Sequence, residues 1–274
     1  MLADGTPPPV LLLKDKKQMD KHVFLCETES EYESLVYETP HVALTEDDDT
    51  VHYDKPKIIV NGYEFVDMGL SVDWATCNIG AESPEKNGWY FMWGDTVPYT
   101  TDRTPMAGGD AITFSWNSNC PHWVSGTASF ETKWSKYTAT DGYSSTGVKD
   151  DKLILESEDD AAYMHIGEEC RTPTKEEYQE LLNACNSTWT TKNNIRGYLF
   201  TLKTDPSKTL FFPASGYLAG TGWKSYSSYG YYWLSSLDSS DSSNGDGMFF
   251  SSISCSRDCG SRCQGRPIRA VLPK

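Results

Sequence analysis

The sequence predicts an α+β fold in which two helices and long loops connect small antiparallel sheets. The chain of 274 residues contains 14 Pro and 21 Gly, a turn-rich composition that argues against a helical bundle. Short runs of β-branched and aromatic residues recur along the chain, and two segments carry helix-cap signatures. Nine Trp and 16 Tyr can fill a core and still supply aromatic side chains to a surface.

The first part of the chain differs in pattern from the rest. It predicts a small N-terminal module, residues 1–57, in front of a larger domain, residues 58–274. The boundary is predicted at Lys55-Pro56-Lys57. Short apolar and polar runs predict the elements of the module, namely a strand at 23–26, helical turns at 29–35 and a hairpin at 41–53. We expect this module to serve attachment or oligomerisation.

The first half of the larger domain predicts a turn, strands and loops. The turn is predicted at Asn61-Gly62, a dipeptide that favours positive φ. Runs of aromatic and β-branched residues predict the strands that follow it, at 63–67, 72–77 and 89–93. Residues 95–150 contain clusters of Thr, Ser, Gly and Asp, and these predict long loops.

Two helices and a hairpin are predicted next. The first helix begins near Ser157, with Asp160 three residues on as its capping partner and Asp159-Asp160 favouring its N-terminus. The second begins after Thr174, because Thr174 and Glu177 have the spacing of a capping box. Its apolar positions predict one buried face, formed by Tyr178, Leu181, Leu182 and Cys185. The hairpin follows, with strands at 197–202 and 209–214.

The most informative segment is serine-rich. Residues 225–263 contain 14 Ser and no Lys, Glu, Gln, Thr, Ala, Val, Pro or His. A uniform Ser/Gly/Asp segment is usually a flexible linker, but strand-forming runs at 231–234 and 248–250 interrupt this one. Alternation at 268–272 predicts a half-buried last strand. Arg266 and Arg269 are expected to pair with carboxylates or to extend from that strand towards solvent. The pattern therefore predicts a rigid frame that carries a recognition surface.

Charge and hydropathy exclude several partners. The net charge of −15 excludes nucleic acid as a partner, because phosphate binding needs clustered Lys and Arg. The apolar stretch at 10–13 is far too short to span a bilayer, so no membrane insertion is expected. The first residues lack the pattern of a secretory signal. We expect either a signal that has been trimmed or another route out of the cell, such as that of a virion component.

The cysteines and histidines predict neither a metal site nor a catalytic centre. The eight Cys are widely spread, and their connectivity cannot be derived from the sequence. Cys255, Cys259 and Cys263 lack the fourth ligand that a zinc site needs. The spacing of Asp238, Asp241 and Asp246 matches no calcium loop. Five His and no triad-like motif around any Ser leave no catalytic residue to assign, and we assign no cofactor.

Nine short motifs, taken together in order, resemble a known family. They are VDMGL at 66–70, WATC at 74–77, NIG at 78–80, YFMWG at 90–94, DDAA at 159–162, RTPTKEE at 171–177, FPASG at 212–216, GYYWLSS at 230–236 and RPIR at 266–269. This series resembles the Fibrobacter major paralogous domain of gut bacteria and their phages. The resemblance covers roughly residues 58 to 272 and implies the C-type-lectin-like fold that the family shares with formylglycine-generating enzymes.

The serine-rich segment is also similar to the variable regions of diversity-generating retroelement proteins. In these systems template adenines are randomised near the C-terminal end of the gene, so that Asn codons become codons ending in a pyrimidine. Such codons cannot encode Lys, Glu or Gln, which accounts for the absence of these residues from 225–263. Within this segment, Trp233 and Met248 are the residues that such codons cannot encode. The absence of Ala, Val, Thr, Pro and His departs from this pattern.

This resemblance implies a diversified ligand-binding face. Tyr supplies contact area at low entropic cost, and Ser, Gly and Asn supply adaptable hydrogen bonds. We expect three segments to meet at one end of a small sheet. The predicted ligand-binding residues are Ser225, Tyr226, Ser227, Ser228, Asp238, Ser240, Asp241, Ser243, Asn244, Asp246, Ser254, Ser256, Arg257, Asp258 and Ser261.

The expected partner is a surface protein or glycan of a host or prey cell. The expected location is a phage tail in a virion, or an extracellular or cell-surface position, where several copies acting together add affinity. A homo-oligomer is left open. One alternative is an oxidase of the formylglycine-generating type, or its inactive relative, although the spacing of the C-terminal cysteines differs from that of those enzymes. The other is a structural adhesin domain without a variable face.

Overall fold

The structure is a computed structural model. Together with two short strands near the start of the chain, it describes residues 57–98, 114–115, 118–167 and 169–274. The chain divides into two compact units, Met1–Ile59 and Val60–Lys274. In the first unit, β1 (Leu11–Leu12) pairs antiparallel with β2 (Phe24–Leu25), which lies within the strand predicted at 23–26. The helical turns predicted at 29–35 and the hairpin predicted at 41–53 lie outside the described residues.

The second unit has the predicted α+β character, since small antiparallel sheets dominate it. A four-stranded sheet has the order β16-β5-β4-β3 and consists of β3 (Ile58–Val60), β4 (Tyr63–Val66), β5 (Val72–Ala75) and β16 (Val271–Pro273). A three-stranded sheet consists of β8 (Cys185–Lys192), β9 (Ile195–Leu202) and β10 (Thr209–Pro213). A second one consists of β13 (Gly230–Leu237), β14 (Asn244–Phe250) and β15 (Cys255–Ser261). The two remaining pairs are β6 (Trp123–Ser125) with β7 (Lys133–Trp134) and β11 (Tyr217–Ala219) with β12 (Gly222–Lys224).

The capping box predicted for the longer helix is confirmed. In front of α2 (Lys175–Ala184), the Thr174 hydroxyl accepts a bond from the Glu177 N–H at 3.3 Å. The Glu177 carboxylate in turn accepts a bond from the Thr174 N–H at 2.8 Å. Tyr178 and Leu181 are buried as predicted. Cys185 is the C-cap and also the first residue of β8, a strand that the sequence pattern did not predict.

The start predicted for the shorter helix is wrong. Residues Ser157–Asp159 form a 3-10 turn, and α1 (Ala161–Ile166) begins only after it. Its N-cap is Asp160, whose carboxylate accepts a bond from the Ala162 N–H at 2.9 Å. The same buried carboxylate accepts bonds from the N–H and the hydroxyl of Thr172 at 2.8 and 2.7 Å. Asp160 is therefore committed as the cap, and the helix cannot begin at Ser157.

The hairpin predicted next is confirmed, whereas the strand predicted at 89–93 is wrong. β9 and β10 pair antiparallel with Leu210 opposite Phe200. Residues 89–93 instead form a segment with one isolated bridge, in which Phe91 and Arg266 exchange backbone bonds of 3.0 and 2.9 Å. The N–H groups of Trp89 and Trp93 donate to the carbonyls of Ile79 and Arg262 at 2.8 and 2.9 Å. The side chains of this segment from Tyr90 to Trp93 are buried, so its aromatic residues serve core packing rather than a sheet ladder.

The main hydrophobic core lies where α2 meets the sheets. The helix contributes Tyr178 and Leu181 to this core, and each of the three larger sheets contributes buried apolar side chains. Its strand residues include Trp74, Phe200, Phe212, Tyr232, Met248, Phe250 and Val271. The rings of Phe212 and Tyr232 meet edge to face at 5.3 Å. A smaller cluster around Trp134 contains the Cys120–Cys263 disulfide, which joins the loop-rich region to the C-terminal segment.

Three buried arginines connect the C-terminal segment to the rest of the unit. Arg262, Arg266 and Arg269 are each at most 2% exposed. Their guanidinium groups lie over Trp134 at 4.0 Å, Trp233 at 4.3 Å and Phe212 at 4.3 Å respectively. A buried charge is costly unless hydrogen bonds and aromatic faces replace water.

The predicted environment is confirmed for Arg266 and wrong for Arg269. Arg266 forms an ion pair with Asp258 at 3.0 Å. Arg269 lies in the core and donates to the backbone carbonyls of Ala75, Thr76 and Phe211 and to the Asn78 side chain. The last strand is also not half-buried, because every residue of 268–272 is buried. The segment pairs with β5 in the four-stranded sheet, and Arg269 extends from it into the core, so neither face of the segment is open to solvent.

Two glycines of the serine-rich segment form a slot for Arg266. A Cβ atom at Gly247 or Gly260 would overlap the Arg266 guanidinium. Gly260→Ala therefore forces Arg266 out of its stack on Trp233, and we expect a loss of about 2 kcal/mol in the free energy of unfolding. Urea denaturation measures this loss.

The matched control is Gly222→Ala. Gly222 also lies in a strand, but a Cβ atom added there meets no atom within 4 Å. We expect its midpoint of denaturation to match that of the wild-type protein, and equal losses in the two variants would contradict the slot.

Candidate functional site

The serine-rich segment is an ordered sheet rather than a linker. Its three strands pair in the order β13-β14-β15, with Tyr232 opposite Met248 and Phe250 opposite Cys255. The side chains of Tyr232, Met248 and Phe250 are 0% exposed and belong to the main core. These aromatic and aliphatic side chains hold the frame on which the remaining positions are displayed.

Several serines belong to this frame and not to a surface. Five of the 14 are buried, namely Ser235, Ser236, Ser242, Ser243 and Ser251. The Ser242 hydroxyl accepts the backbone N–H of Thr140 at 2.9 Å, and the Ser236 hydroxyl accepts that of Lys175 at 3.1 Å. Of the predicted binding residues, Ser243 and Asp246 are therefore wrong as solvent-facing positions, since both are buried.

The expectation that the predicted residues meet at one end of the sheet is also wrong. Tyr226 and its neighbours 225–228 precede β13 and lie beside the 251–254 turn, because Gly230 pairs with Phe250. The 238–243 loop joins the opposite ends of β13 and β14. β14 has seven residues, so the two ends lie about 20 Å apart. Up-and-down strands place consecutive loops at alternate ends.

The predicted residues consequently form two groups at opposite ends of the sheet and a third group in its middle. The first end holds Ser225, Tyr226, Ser227, Ser228, Ser254 and Ser256. The second end holds Asp238, Ser240, Asp241, Ser243, Asn244 and Ser261. The middle of the sheet holds Asp246, Arg257 and Asp258.

The first end carries an aromatic patch that the predicted site omits. We define it as Tyr217, Tyr229, Tyr231 and Phe249. Tyr231 contacts Tyr217 at 4.9 Å and Phe249 at 5.2 Å between ring centroids, and Tyr229 lies 5.8 Å from Phe249. Tyr229 is 40% exposed, and Ile253 in the neighbouring turn is 92% exposed. Strand alternation could have identified it, since Tyr229, Tyr231 and Phe249 alternate with buried neighbours.

Charged residues in the middle of the sheet lie on opposite faces. Asp258 pairs with Arg266 on the face of the aromatic patch, and burial lowers the pKa of Arg266 while Asp258 opposes that shift. Arg257 lies on the α2 face, where its guanidinium is 3.3 Å from both carboxylate oxygens of Asp246. Lys175 is 3.8 Å from the same carboxylate. Burial raises the pKa of Asp246, and the two cations oppose that change.

The carboxylates at the second end accept hydrogen bonds within their own loop and also interact with Cys259 and Tyr143 outside it. Asp238 accepts the N–H and hydroxyl of Ser240 at 2.8 and 2.7 Å. Asp241 accepts the same two groups of Ser243 at 2.9 and 2.5 Å. Burial opposes ionisation of Asp238, but the Ser240 bonds outweigh it and lower the pKa of Asp238. These turns shape the loop, and in each of them both bonds go to the Oδ1 atom of the aspartate.

The thiols of β15 are held protonated. Burial raises the pKa of Cys255 to about 11, and the Tyr178 hydroxyl lies 3.2 Å from its sulfur atom. Burial also raises the pKa of Cys259, and Asp238 and Asp258 add to that change. Cys263 forms the disulfide with Cys120. Of the three cysteines considered as a metal-binding set, Cys263 is therefore in a disulfide, and the thiols of Cys255 and Cys259 lie in two separate environments.

Two cavities lie away from the aromatic patch. A groove of about 630 Å³ runs between α2 and β15 and is lined by Lys175, Glu176, Gln179 and Arg257 among others. A second cavity of about 740 Å³ lies beside β4 and is lined by Tyr63, Cys77, Lys192 and Phe211 among others. No residue of the aromatic patch lines either of these two cavities.

One group of carboxylates has the spacing of a metal site but holds a lysine instead. Oxygen atoms of Glu156, Glu158 and Asp159 lie within 4.8 Å of one another. The Lys136 ammonium is 2.5, 2.9 and 2.6 Å from these three side chains. Burial opposes ionisation of Asp159, but hydrogen bonds from His122, Lys136 and Tyr137 outweigh it and hold its pKa well below the usual range.

Asp159 is therefore expected to make the protein acid-sensitive. The pKa of Asp159 is lower in the folded than in the unfolded state. The ionised carboxylate therefore stabilises the fold fully above the pKa of the unfolded state, and this stabilisation begins to be lost as pH falls below about 4. We expect Asp159→Asn to cost about 2 kcal/mol at pH 7 and less at pH 3, where the carboxylate of the unfolded state is already mostly protonated while that of the folded state is still ionised. Thermal unfolding at the two pH values measures the difference.

The matched control is Asp141→Asn. Asp141 is 92% exposed and pairs with Lys149 at 3.2 Å. We expect a change below about 0.5 kcal/mol at either pH. A pH-independent loss in Asp159→Asn would contradict the assigned role of its charge.

Within the described residues, no helix has both the length and the apolar character needed to cross a bilayer. Comparison with protein-family models, with curated proteins and with solved structures finds no significant match.

Proposed function

We propose that the chain is a diversified ligand-binding protein with a C-type-lectin-like domain and that residues 225–263 are the target of a diversity-generating retroelement. The partner is a protein or glycan on a host or prey cell. The chain is displayed on a phage tail or a cell surface. The proposal also includes membership of the family of the Fibrobacter major paralogous domain, which the sequence resembles.

One observation carries the proposal. The restricted alphabet of residues 225–263 is divided between a buried frame and an exposed remainder on a single ordered sheet. Tyr232, Met248 and Phe250 are 0% exposed, whereas Ser228, Ser254 and Ser256 are exposed. A frame of this kind tolerates substitution at exposed positions without loss of the fold, which is what diversification requires.

The aromatic patch supports a binding role. Clustered Tyr and Phe side chains that remain partly exposed beside a guanidinium–carboxylate pair have the composition of interface hot spots. An oxidase would need a reactive thiolate at neutral pH. The raised pKa values of Cys255 and Cys259 disfavour that chemistry, and we therefore propose binding rather than oxidation.

Sequencing of the gene and its flanks in independent isolates tests the proposal. We expect a near-identical template repeat beside a reverse-transcriptase gene. We also expect substitutions to concentrate at exposed positions, namely Ser228, Ser254, Ser256, Arg257 and Cys259. The frame positions Ser235, Ser242, Gly245, Gly247 and Gly260 should stay constant, because each has a packing or hydrogen-bonding role.

Two outcomes would contradict this expectation. Substitutions spread evenly over the domain, without a template repeat, would favour a structural adhesin domain. Substitutions that fall equally on the exposed and the buried members of the segment would contradict the division into frame and surface.

A further inference from the structure

The outer edge of the β13-β14-β15 sheet presents backbone groups that pair with no residue in the described part of the chain. β15 is the edge strand, and its ladder with β14 runs from Cys255 to Ser261 without a register shift. In an antiparallel pair, only every second residue directs its N–H and C=O at the neighbouring strand. Two bonds determine which residues these are. Ser251 N–H donates to Ser254 O at 2.8 Å, so this pair is hydrogen-bonded and every second pair after it is too. Asp238 N–H donates to Asn244 O at 3.1 Å, so Asn244 directs its carbonyl away from β15, in agreement with that alternation.

That alternation directs the N–H and C=O of Cys255, Arg257 and Cys259 away from β14. Among the residues that the structure describes, none bonds to these backbone groups. The three residues are partly or fully exposed. The groups therefore form a row of alternating donors and acceptors that repeats about every 6.8 Å.

This edge lacks most of the usual protection. Edge strands are commonly shielded by proline, lysine, a bulge or a covering segment. Residues Cys255–Ser261 contain no proline and no lysine. The exposed charge of Arg257 is partly neutralised by Asp246, with both oxygens at 3.3 Å.

We propose that β15 binds an extended segment of a partner protein as an added antiparallel or parallel strand. Backbone bonds to Cys255, Arg257 and Cys259 supply affinity that does not depend on side chains. Alternate side chains of the added strand enter the groove between β15 and α2, where Lys175, Gln179 and Arg257 provide polar contacts. The inference rests on the proposed function, since it names the class of partner for the same segment.

The chemistry of the edge favours a polypeptide over a glycan. Only an extended peptide carries donors and acceptors at the repeat of a β-strand. Strand addition also reconciles diversification with binding, because the exposed side chains of Ser256 and Arg257 can change while the backbone row remains. A main-chain interaction gives each variant a common basal affinity, and the side chains then select among partners.

A second copy of this chain is a less suitable partner. A symmetric antiparallel pair centred on residue 257 places two Arg257 side chains opposite each other on the same face, and like charges at directly opposed positions are destabilising. The net charge of −15 adds repulsion between copies. We therefore commit to a segment of another protein as the occupant.

The test uses the whole chain and a synthetic probe. A randomised library of extended heptapeptides is selected on the immobilised protein, and the tightest peptide is measured by fluorescence anisotropy. We expect Cys259→Pro to weaken that peptide about tenfold relative to Cys259→Ala, because it removes one outward N–H and its bond. Both variants lack the thiol, and proline at this position takes no bond from the β14 ladder.

A scan of the peptide provides an independent readout should Cys259→Pro fail to fold. N-methylation of the peptide at successive residues removes one backbone donor at a time. We expect the dissociation constant for the wild-type protein to rise at alternate positions only.

Three results would overturn the proposal: a library without a binding peptide, a scan without a period of two, or equal affinity in folded Cys259→Pro and Cys259→Ala. Dimerisation of the wild-type chain that Cys259→Pro abolishes would overturn it in favour of a second copy. Any of these leaves the sequencing result untouched, so that failure here is distinguishable from failure of the proposed function.

Discussion

The second unit depends on how it accommodates three positive charges in its interior. Arg262, Arg266 and Arg269 lie within eight residues of each other, and each stacks on an aromatic ring from a different part of the domain. Because a guanidinium offers a flat face and five donors, it can bind carbonyls in its plane while rings cover its faces. The C-terminal segment lies where the sheets meet, and there Arg262 and Arg269 donate to buried backbone carbonyls. Apolar side chains in their place would leave these carbonyls without donors.

That central segment explains why a sheet of small residues is ordered. Glycines on one face admit Trp93 and Arg266, and apolar side chains on the other face enter the main core. The sheet is thus covered on both faces over most of its length. Among the described residues, the edge strand and the end with the aromatic patch are two of the parts of this sheet that remain exposed.

The sequence predicts the local features well where one short-range rule decides them. The capping box at Thr174, the β9-β10 hairpin and the strand-forming runs at 231–234 and 248–250 follow from spacing and propensity alone. It fails where tertiary contacts decide. Nothing local distinguishes a buried serine such as Ser242 from an exposed one such as Ser254, and the burial of Arg269 depends on carbonyls about 60 to 190 residues away. The predicted binding residues likewise lie on or next to one sheet, but they come from its opposite ends and from both of its faces.

The length of β14 has an evolutionary consequence. Substitutions in the 251–254 turn and in the 238–243 loop are separated by more than the range over which energetic effects usually couple. Their effects on stability should therefore add independently. A change in one loop therefore costs the same free energy whatever occupies the other, and a combination is viable as long as the summed cost stays within the stability of the fold.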